Sequence, residues 1–452
     1  MNTKLRYMFN YGHNRGKTSL MLFISLAFVL LLIIYSFSPI FSGVAIFAHA
    51  APSAPAPEEF ASSEVDLIDI IAAIADGGEV VIGLQSDIQL TASLSIPDDK
   101  HVILVSAGNN DEMYQLIGAD GEDTIVIVTG GLLSLYDVII THNDDESGRG
   151  ITINSGGKLV MYDGEISNNK IILAPGGGVH NNGGIFEMSG GVIVSNSAYD
   201  GGGVCNSEGA EFIMNSGVIG GSEIDKNIAY AGAGGGVCNS VGCIFEMISG
   251  EISYNDGNSA GGVYNGGTFD MRGGEISNNN VTGAGSGGGG VFNRGVFNMF
   301  SGEISYNFGS LRGGGVYNAN DLGSAAFIMH GGKIFGNTAE YMGGGVYLYS
   351  TGRDSCTFTM IGGEIFNNMA LHSVDYTGFG GGVANDYGEF IMDGGEIYGN
   401  TAISGGGVFN LGTGVHGAFT MNGGIIGGVT SDKANSADLS GGEFLIIMMA
   451  RL

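Results

Sequence analysis

From about residue 150 the chain alternates apolar and polar positions in short runs, and the runs recur. A Phe-x-Met pair marks each unit: Phe186/Met188, Phe212/Met214, Phe245/Met247, Phe269/Met271, Phe297/Met299, Phe327/Met329, Phe358/Met360, Phe390/Met392 and Phe419/Met421, with Leu159/Met161 in an earlier unit. Five residues after each Met stands an isoleucine: Ile166, Ile193, Ile219, Ile252, Ile276, Ile304, Ile334, Ile365, Ile397 and Ile426. Upstream of the pair, a GGGV or GGV segment places valines at 179, 204, 237, 263, 291, 316, 346, 383 and 408. Phe-x-Met and Val-x-Asn each put two side chains on one face of an extended chain, and Glu-Ile-Ser alternates polar, apolar, polar. The pattern predicts three short strands per unit, separated by glycine turns.

Successive valines lie 25 to 37 residues apart, and 25 recurs as the shortest spacing. A period in that range marks a solenoid, a propeller or an array, but a propeller blade needs about 40 residues and four strands. The Leu-x-x-Leu-x-Leu core of a leucine-rich repeat is missing. Three strands in so short a unit bury little alone. They bury a continuous core if each unit is one coil of a right-handed parallel β-helix, with coils of about 25 residues stacked about 4.8 Å apart. Equivalent residues then form columns.

Two such columns are asparagine. One follows the isoleucines by three: Asn169, Asn196, Asn255, Asn279, Asn307, Asn337, Asn368 and Asn400. The other follows the valines by two: Asn181, Asn206, Asn239, Asn265, Asn293, Asn318, Asn385 and Asn410, with Leu348 breaking the series. Asparagine tolerates the left-handed conformation of a sharp corner, and its amide can bond those above and below. Both columns are therefore expected to be ladders. The third and tenth units carry insertions, GGSEIDKN and GGVTSDKAN, expected as loops on one face.

Upstream of the repeats, Ser63 to Ala75 reads as a helix. Leu67, Ile70, Ile71 and Ile74 share one face, and Ser63 with Asp66 suits its start. Such a helix would cover the open edge of the first coil, which otherwise invites pairing. We place this capping helix within residues 62–78, irregular early coils at 79–149 and regular repeats at 150–439. VVIGL, TIVIV and DVIIT are the strand candidates of the early coils. A remnant at 440–452 shows no cap of its own.

The first 50 residues look different. Lys4, Arg6, Arg15 and Lys17 precede an apolar run from Leu20 to Tyr35, and Ala48-His49-Ala50 matches a signal peptidase site. The alternative is an uncleaved membrane anchor, since the uncharged stretch is long enough to span a bilayer. Both readings leave the remainder outside the membrane, at the cell surface or in the extracellular space. Residues 51–61 then form an Ala/Pro linker.

Charge narrows the partners. The formal net charge is −29 with only 16 basic residues, so a nucleic-acid partner, which requires clustered Lys and Arg, is excluded. The partners this leaves are a surface glycan, or a protein of a host or neighbouring cell.

The GGGV/GGV turns, the Phe-x-Met pairs and the Glu-Ile-x-x-Asn segments together resemble the right-handed parallel β-helix repeats of large bacterial and archaeal surface proteins, the adhesin-like or polymorphic-outer-membrane-type family. The resemblance covers about residues 80–440. It implies a surface location and adhesion, and it carries no catalytic residues over. The same pectin-lyase-like fold serves polysaccharide lyases and hydrolases, which makes a carbohydrate-active enzyme the second reading. Such an enzyme gathers Asp or Glu with Arg, Lys or His in one groove. Arg272, Arg294, Arg312 and Arg353 fall at different points of their units, and His180, His330, His372 and His416 are equally scattered. No catalysis is expected.

Three outer columns remain as candidates. Glu251, Glu275 and Glu303 precede their isoleucines in consecutive coils and so point outward. Stacked like charges repel, so a Ca²⁺ ion there would offset the strain; the alternative is a solvated acidic face relieved by Lys333. No other cofactor is implied. Tyr264, Phe292, Tyr317 and Tyr347, with Phe409, each follow a valine. If the valines face inward, these form an exposed strip able to stack on sugar rings; if outward, they form a core stack, the preferred reading. Cys205 and Cys238 occupy the same column in adjacent coils, within reach of a disulfide permitted outside the cell, against two free thiols.

Overall fold

The computed structural model describes residues 52–448, apart from 109–111, 284–286, 322, 353–354, 372–377, 413–416, 429–432 and 443. The expected signal or anchor, residues 1–50, lies outside the described residues. Among the described residues, no helix is long and apolar enough to cross a membrane.

The chain is an all-β parallel solenoid. Its strands line up in sheets of 14, 13, 13 and 10 strands, each strand paired in parallel with the equivalent strand one coil away. The register matches the sequence columns: Phe269 pairs with Phe245 and Phe297, Ile276 with Ile252 and Ile304, and Val263 with Val237 and Val291. All these side chains are completely buried in one continuous core. Burial in a parallel stack explains the constancy of each position. A different side chain would meet its own counterpart above and below, so only shapes that stack on themselves persist. The phenylalanines do so with centroids 4.7 to 4.8 Å apart and rings within 7° of parallel from Phe186 to Phe327.

The regular coils carry a fourth strand that the three-strand expectation lacks. It is short, usually two residues (Ser197–Ala198, Ile228–Ala229, Asn280–Val281, Thr338–Ala339), and it follows the ladder asparagine. Two residues give no period-2 signal, so the pattern could not announce it. It also changes what the glycine runs do. A Cβ on Gly261 would come within 2.5 Å of the Asn280 amide nitrogen, and one on Gly314 within 2.6 Å of the Thr338 carbonyl carbon. The middle glycine of each run lets the valine strand close against the fourth strand.

The helix forms as expected over Glu64–Ala73, with Ser63 accepting from the Asp66 amide at 3.2 Å and the Ser62 amide donating back to Asp66 at 3.0 Å. Leu67 and Ile71 are buried, and Ile70 and Ile74 pack against the same core. The segment read as linker is partly structure: Glu59–Ala61 pairs with Ile82–Leu84 as the first strand of the largest sheet. The three candidate early strands form at Glu79–Leu84, Ile125–Ile127 and Val138–Thr141, and five more lie among them, at Ile88–Gln89, Leu94–Ile96, His101–Ser106, Tyr114–Ile117 and Leu132–Leu135.

Candidate functional site

The first asparagine ladder is present and more complete than its sequence signature. Asn255 Nδ2 donates to Asn279 Oδ1, Asn279 to Asn307, Asn307 to Asn337, Asn337 to Asn368 and Asn368 to Asn400, each at 3.0 Å, and all are buried. Asn227 and Asn435, the last residues of the two insertions, take their places in line. The first insertion therefore bulges out before the ladder position, and the column stays intact at both asparagines. The sharp corner lies one residue earlier than the ladder position expected from the sequence. The left-handed residue is the one before the ladder asparagine, with φ of 57° at Asn168, 56° at Ser195 and 56° at Asn278. The ladder amide instead donates to an isoleucine carbonyl, as Asn279 does to Ile252 O at 2.8 Å. The second ladder runs from Asn181 to Asn318, and Leu348 interrupts it as a fully buried apolar side chain.

The aromatic column meets neither sequence alternative. The valines face inward, yet Phe292, Tyr317 and Tyr347 are also buried, at 3, 4 and 0% exposure, so they form no exposed sugar-stacking strip. They lie outside the coil and are covered by the turn preceding the glycine run, through Ala260, Met342 and Phe379, in a second apolar cluster with Phe409. Strand alternation fixed their side of the sheet, but not what lies over it. Phe292 and Tyr317 stack at 4.6 Å. Burial raises the Tyr317 phenol and the Tyr347 phenol well above the ordinary tyrosine range.

Charged groups gather on this cluster. Arg294 lies over Phe292 at 4.6 Å and pairs with Asp321, and Arg312 lies over Tyr347 at 5.5 Å. The Tyr347 hydroxyl donates to Asp386 at 2.8 Å, and burial raises the Asp386 carboxyl above its usual range. Two of the arginines that look scattered in sequence therefore meet on one face, because the turn before the glycine run folds over the strand after it. Arg272 belongs to another face, with Glu246 and over Phe300, where His330 also stacks. Arg353, His372 and His416 lie outside the described residues.

Tyr264 behaves differently from the rest of its column. Its ring stands edge-on to Phe292, at 88°, and is only partly buried. Its register partner one coil back is Cys238, followed by Cys205. Where the column steps from ring to thiol, a cleft of about 410 Å³ opens, lined by Cys238 and Tyr264, by Ser240 and Arg294 on one side, and by Asp200, Ala233 and Ser259 on the other. Asp200 Oδ1 accepts from the Ala233 amide at 2.6 Å, and burial raises its carboxyl above the usual range. Asp200 escaped the sequence reading because it sits in a turn with no column signature. Its placement in one cleft with Tyr264, two coils on, follows only once the fourth strand closes the coil.

Cys205 and Cys238 are both free thiols, the second of the two alternatives the sequence left open. They are in register on adjacent parallel strands, about 4.8 Å apart with parallel Cα–Cβ directions, whereas a disulfide needs its Cβ atoms about 3.5–4.5 Å apart and turned toward each other. A hydrogen bond that the Cys205 thiol donates to Cys238, together with burial, raises that thiol well above its ordinary value.

Glu251, Glu275 and Glu303 do form one column, followed by Lys333, which pairs with Glu303 at 2.9 Å. Among the described residues, no three His, Cys, Asp or Glu side chains converge as a metal site would require. Beside this column runs a stack absent from the sequence expectations: Phe335 on Phe366 at 4.9 Å and Phe366 on Tyr398 at 5.1 Å. Its signal was the aromatic residue after the isoleucine in the KIF, EIF and EIY segments, where the three preceding coils carry Ser253, Ser277 and Ser305.

No family model matches the chain, and neither a curated protein nor a solved structure is similar to it at a significant level.

Proposed function

We propose that the chain is an exported cell-surface solenoid that acts through its outer faces, as an adhesin-like binding protein or a stalk. One observation carries this reading. The Phe, Met, Val and Ile columns and both asparagine ladders satisfy one another from coil to coil. The interior is thus committed to holding a stiff rod, and recognition falls to the outer columns and turns. The net charge of −29 suits a soluble, exposed surface and disfavours polyanionic partners. A glycan or a protein of a host or neighbouring cell is the expected partner.

A second reading has an observation of its own. Arg294, Arg312, Asp321 and Asp386 gather around Tyr347 and Phe292, the mixture of carboxylate and guanidinium that a polysaccharide lyase or glycoside hydrolase uses. Against it, these groups lie on a buried aromatic cluster, whereas a polymer substrate needs an open groove. A glycan array run beside cleavage assays on polysaccharides separates the two. Binding without cleavage supports the surface reading, and new chain ends support the enzyme.

A further inference from the structure

The cleft at Tyr264 is where the outer aromatic column is left open, and its lining is specific. Three rows of side chains meet there. The floor row steps from Tyr264 to Cys238, so an aromatic ring is followed by a small side chain. The strand-end row runs Ser240, Gly266, Arg294 in successive coils, and the glycine makes room for Val241, whose Cγ2 a Cβ there would approach to 3.4 Å and which adds an apolar edge to the cleft. The turn row brings Asp200 and Ser259 to the opposite wall. At about 410 Å³ the cleft lies within the range of roughly 300–1,000 Å³ expected of small-molecule sites.

We infer that this cleft binds a neutral pyranose unit of a glycan, with one face of the sugar against the Tyr264 ring and its hydroxyls between Asp200 and Arg294. The inference rests on the surface-binding reading and names its ligand. The chemistry selects the class. Asp200 accepts hydrogen bonds from sugar hydroxyls, Arg294 donates to them, and Ser240 and Ser259 do either. A pyranose presents C–H groups on one face and hydroxyls around its rim, which matches an aromatic wall flanked by a carboxylate and a guanidinium. An anionic sugar is disfavoured twice. The guanidinium is already matched by Asp321, and Asp200 together with the net charge of −29 repels a second carboxylate. A cationic ligand would meet the guanidinium in the same space.

The test uses the full chain on an array of neutral gluco-, galacto- and manno-oligosaccharides with the corresponding uronates, followed by calorimetric titration of the best binder. We expect a neutral oligosaccharide to bind, and Tyr264→Ala and Asp200→Asn each to weaken it on the order of tenfold. Tyr264→Phe should keep most of the affinity, and Tyr306→Ala, on another face, should leave it unchanged. Thermal melts of every variant guard against misfolding, and Asp200→Asn keeps the acceptor that the Ala233 amide uses. Binding insensitive to both Tyr264→Ala and Asp200→Asn would move the sugar elsewhere and overturn the cleft while leaving the surface-binding reading intact. Preference for uronates would overturn the neutral class. Binding to no glycan would overturn the inference outright, whereas cleavage of the glycans would overturn the parent reading.

Discussion

Replacing Asn279 by alanine probes the ladder where it is most regular. The side chain makes four hydrogen bonds. It donates to Ile252 O at 2.8 Å and to Asn307 Oδ1 at 3.0 Å, and it accepts from the Asn255 amide and from Asn255 Nδ2, both at 3.0 Å. Asn307 Oδ1 keeps the Asn279 amide as a donor, and Asn255 Nδ2 keeps the Ile219 and Ser253 carbonyls as acceptors. The Ile252 carbonyl keeps the amide of the paired strand in the next coil, so the group left without a partner is the Asn255 amide. At about 1–3 kcal/mol for a buried group deprived of its partner, the loss is about 1–3 kcal/mol. Repeat arrays need not unfold in one step, so the informative assay is amide hydrogen exchange alongside thermal melting. The Asn255 amide should lose protection ahead of the Phe269 strand, and the melting temperature should fall. Adding Asn307→Ala should cost less than twice as much, because the two side chains share one bond. A melting temperature unchanged in both variants, with the Asn255 amide still protected, would refute the ladder as a stabilising element.

Three further outcomes follow from named residues. His180 is held at a pKa of about 4, mainly by burial, against 6.5 for the free side chain; the unfolded chain takes up its proton first, so stability falls as pH drops from about 6.5 toward 4, by up to about 3 kcal/mol, and His180→Gln should remove that part of a pH-stability curve measured by urea unfolding. Ser195 holds φ at 56° in a position that Gly336 and Gly399 fill in later coils, so Ser195→Gly should raise stability by about 0.5–1 kcal/mol in the same assay. Reductant should leave the melting temperature unchanged, and a thiol titration should count Cys205 and Cys238 only after denaturation; a reductant-sensitive melt would contradict the free pair.

The parallel stack was legible because a solenoid repeats each environment. Phe269, Ile276 and Val263 recur at fixed offsets since each meets its equivalent above and below. The asparagine ladders were legible for the same reason, except where insertions displaced Asn227 and Asn435 along the sequence without displacing them in space. Features set by contacts across a coil were not legible. The fourth strand is too short to show alternation, and the second apolar cluster depends on turn residues such as Met342 and Phe379, which share a register with Arg312 and Ser404 but not a side-chain type, so no column shows in the sequence. The cleft shows why Tyr264 differs from Phe292. The difference lies in Cys238 one coil back and Asp200 in a turn two coils back, and neither position bears on the other until the coil closes.

The most direct test of the account is to incubate the full chain with the oligosaccharides of the array and analyse both partners. The account predicts saturable binding with every oligosaccharide recovered at its original length. Shortened oligosaccharides with new reducing or unsaturated ends, produced by the wild-type chain and lost in an Asp386→Asn variant, would contradict it and assign the protein to carbohydrate cleavage.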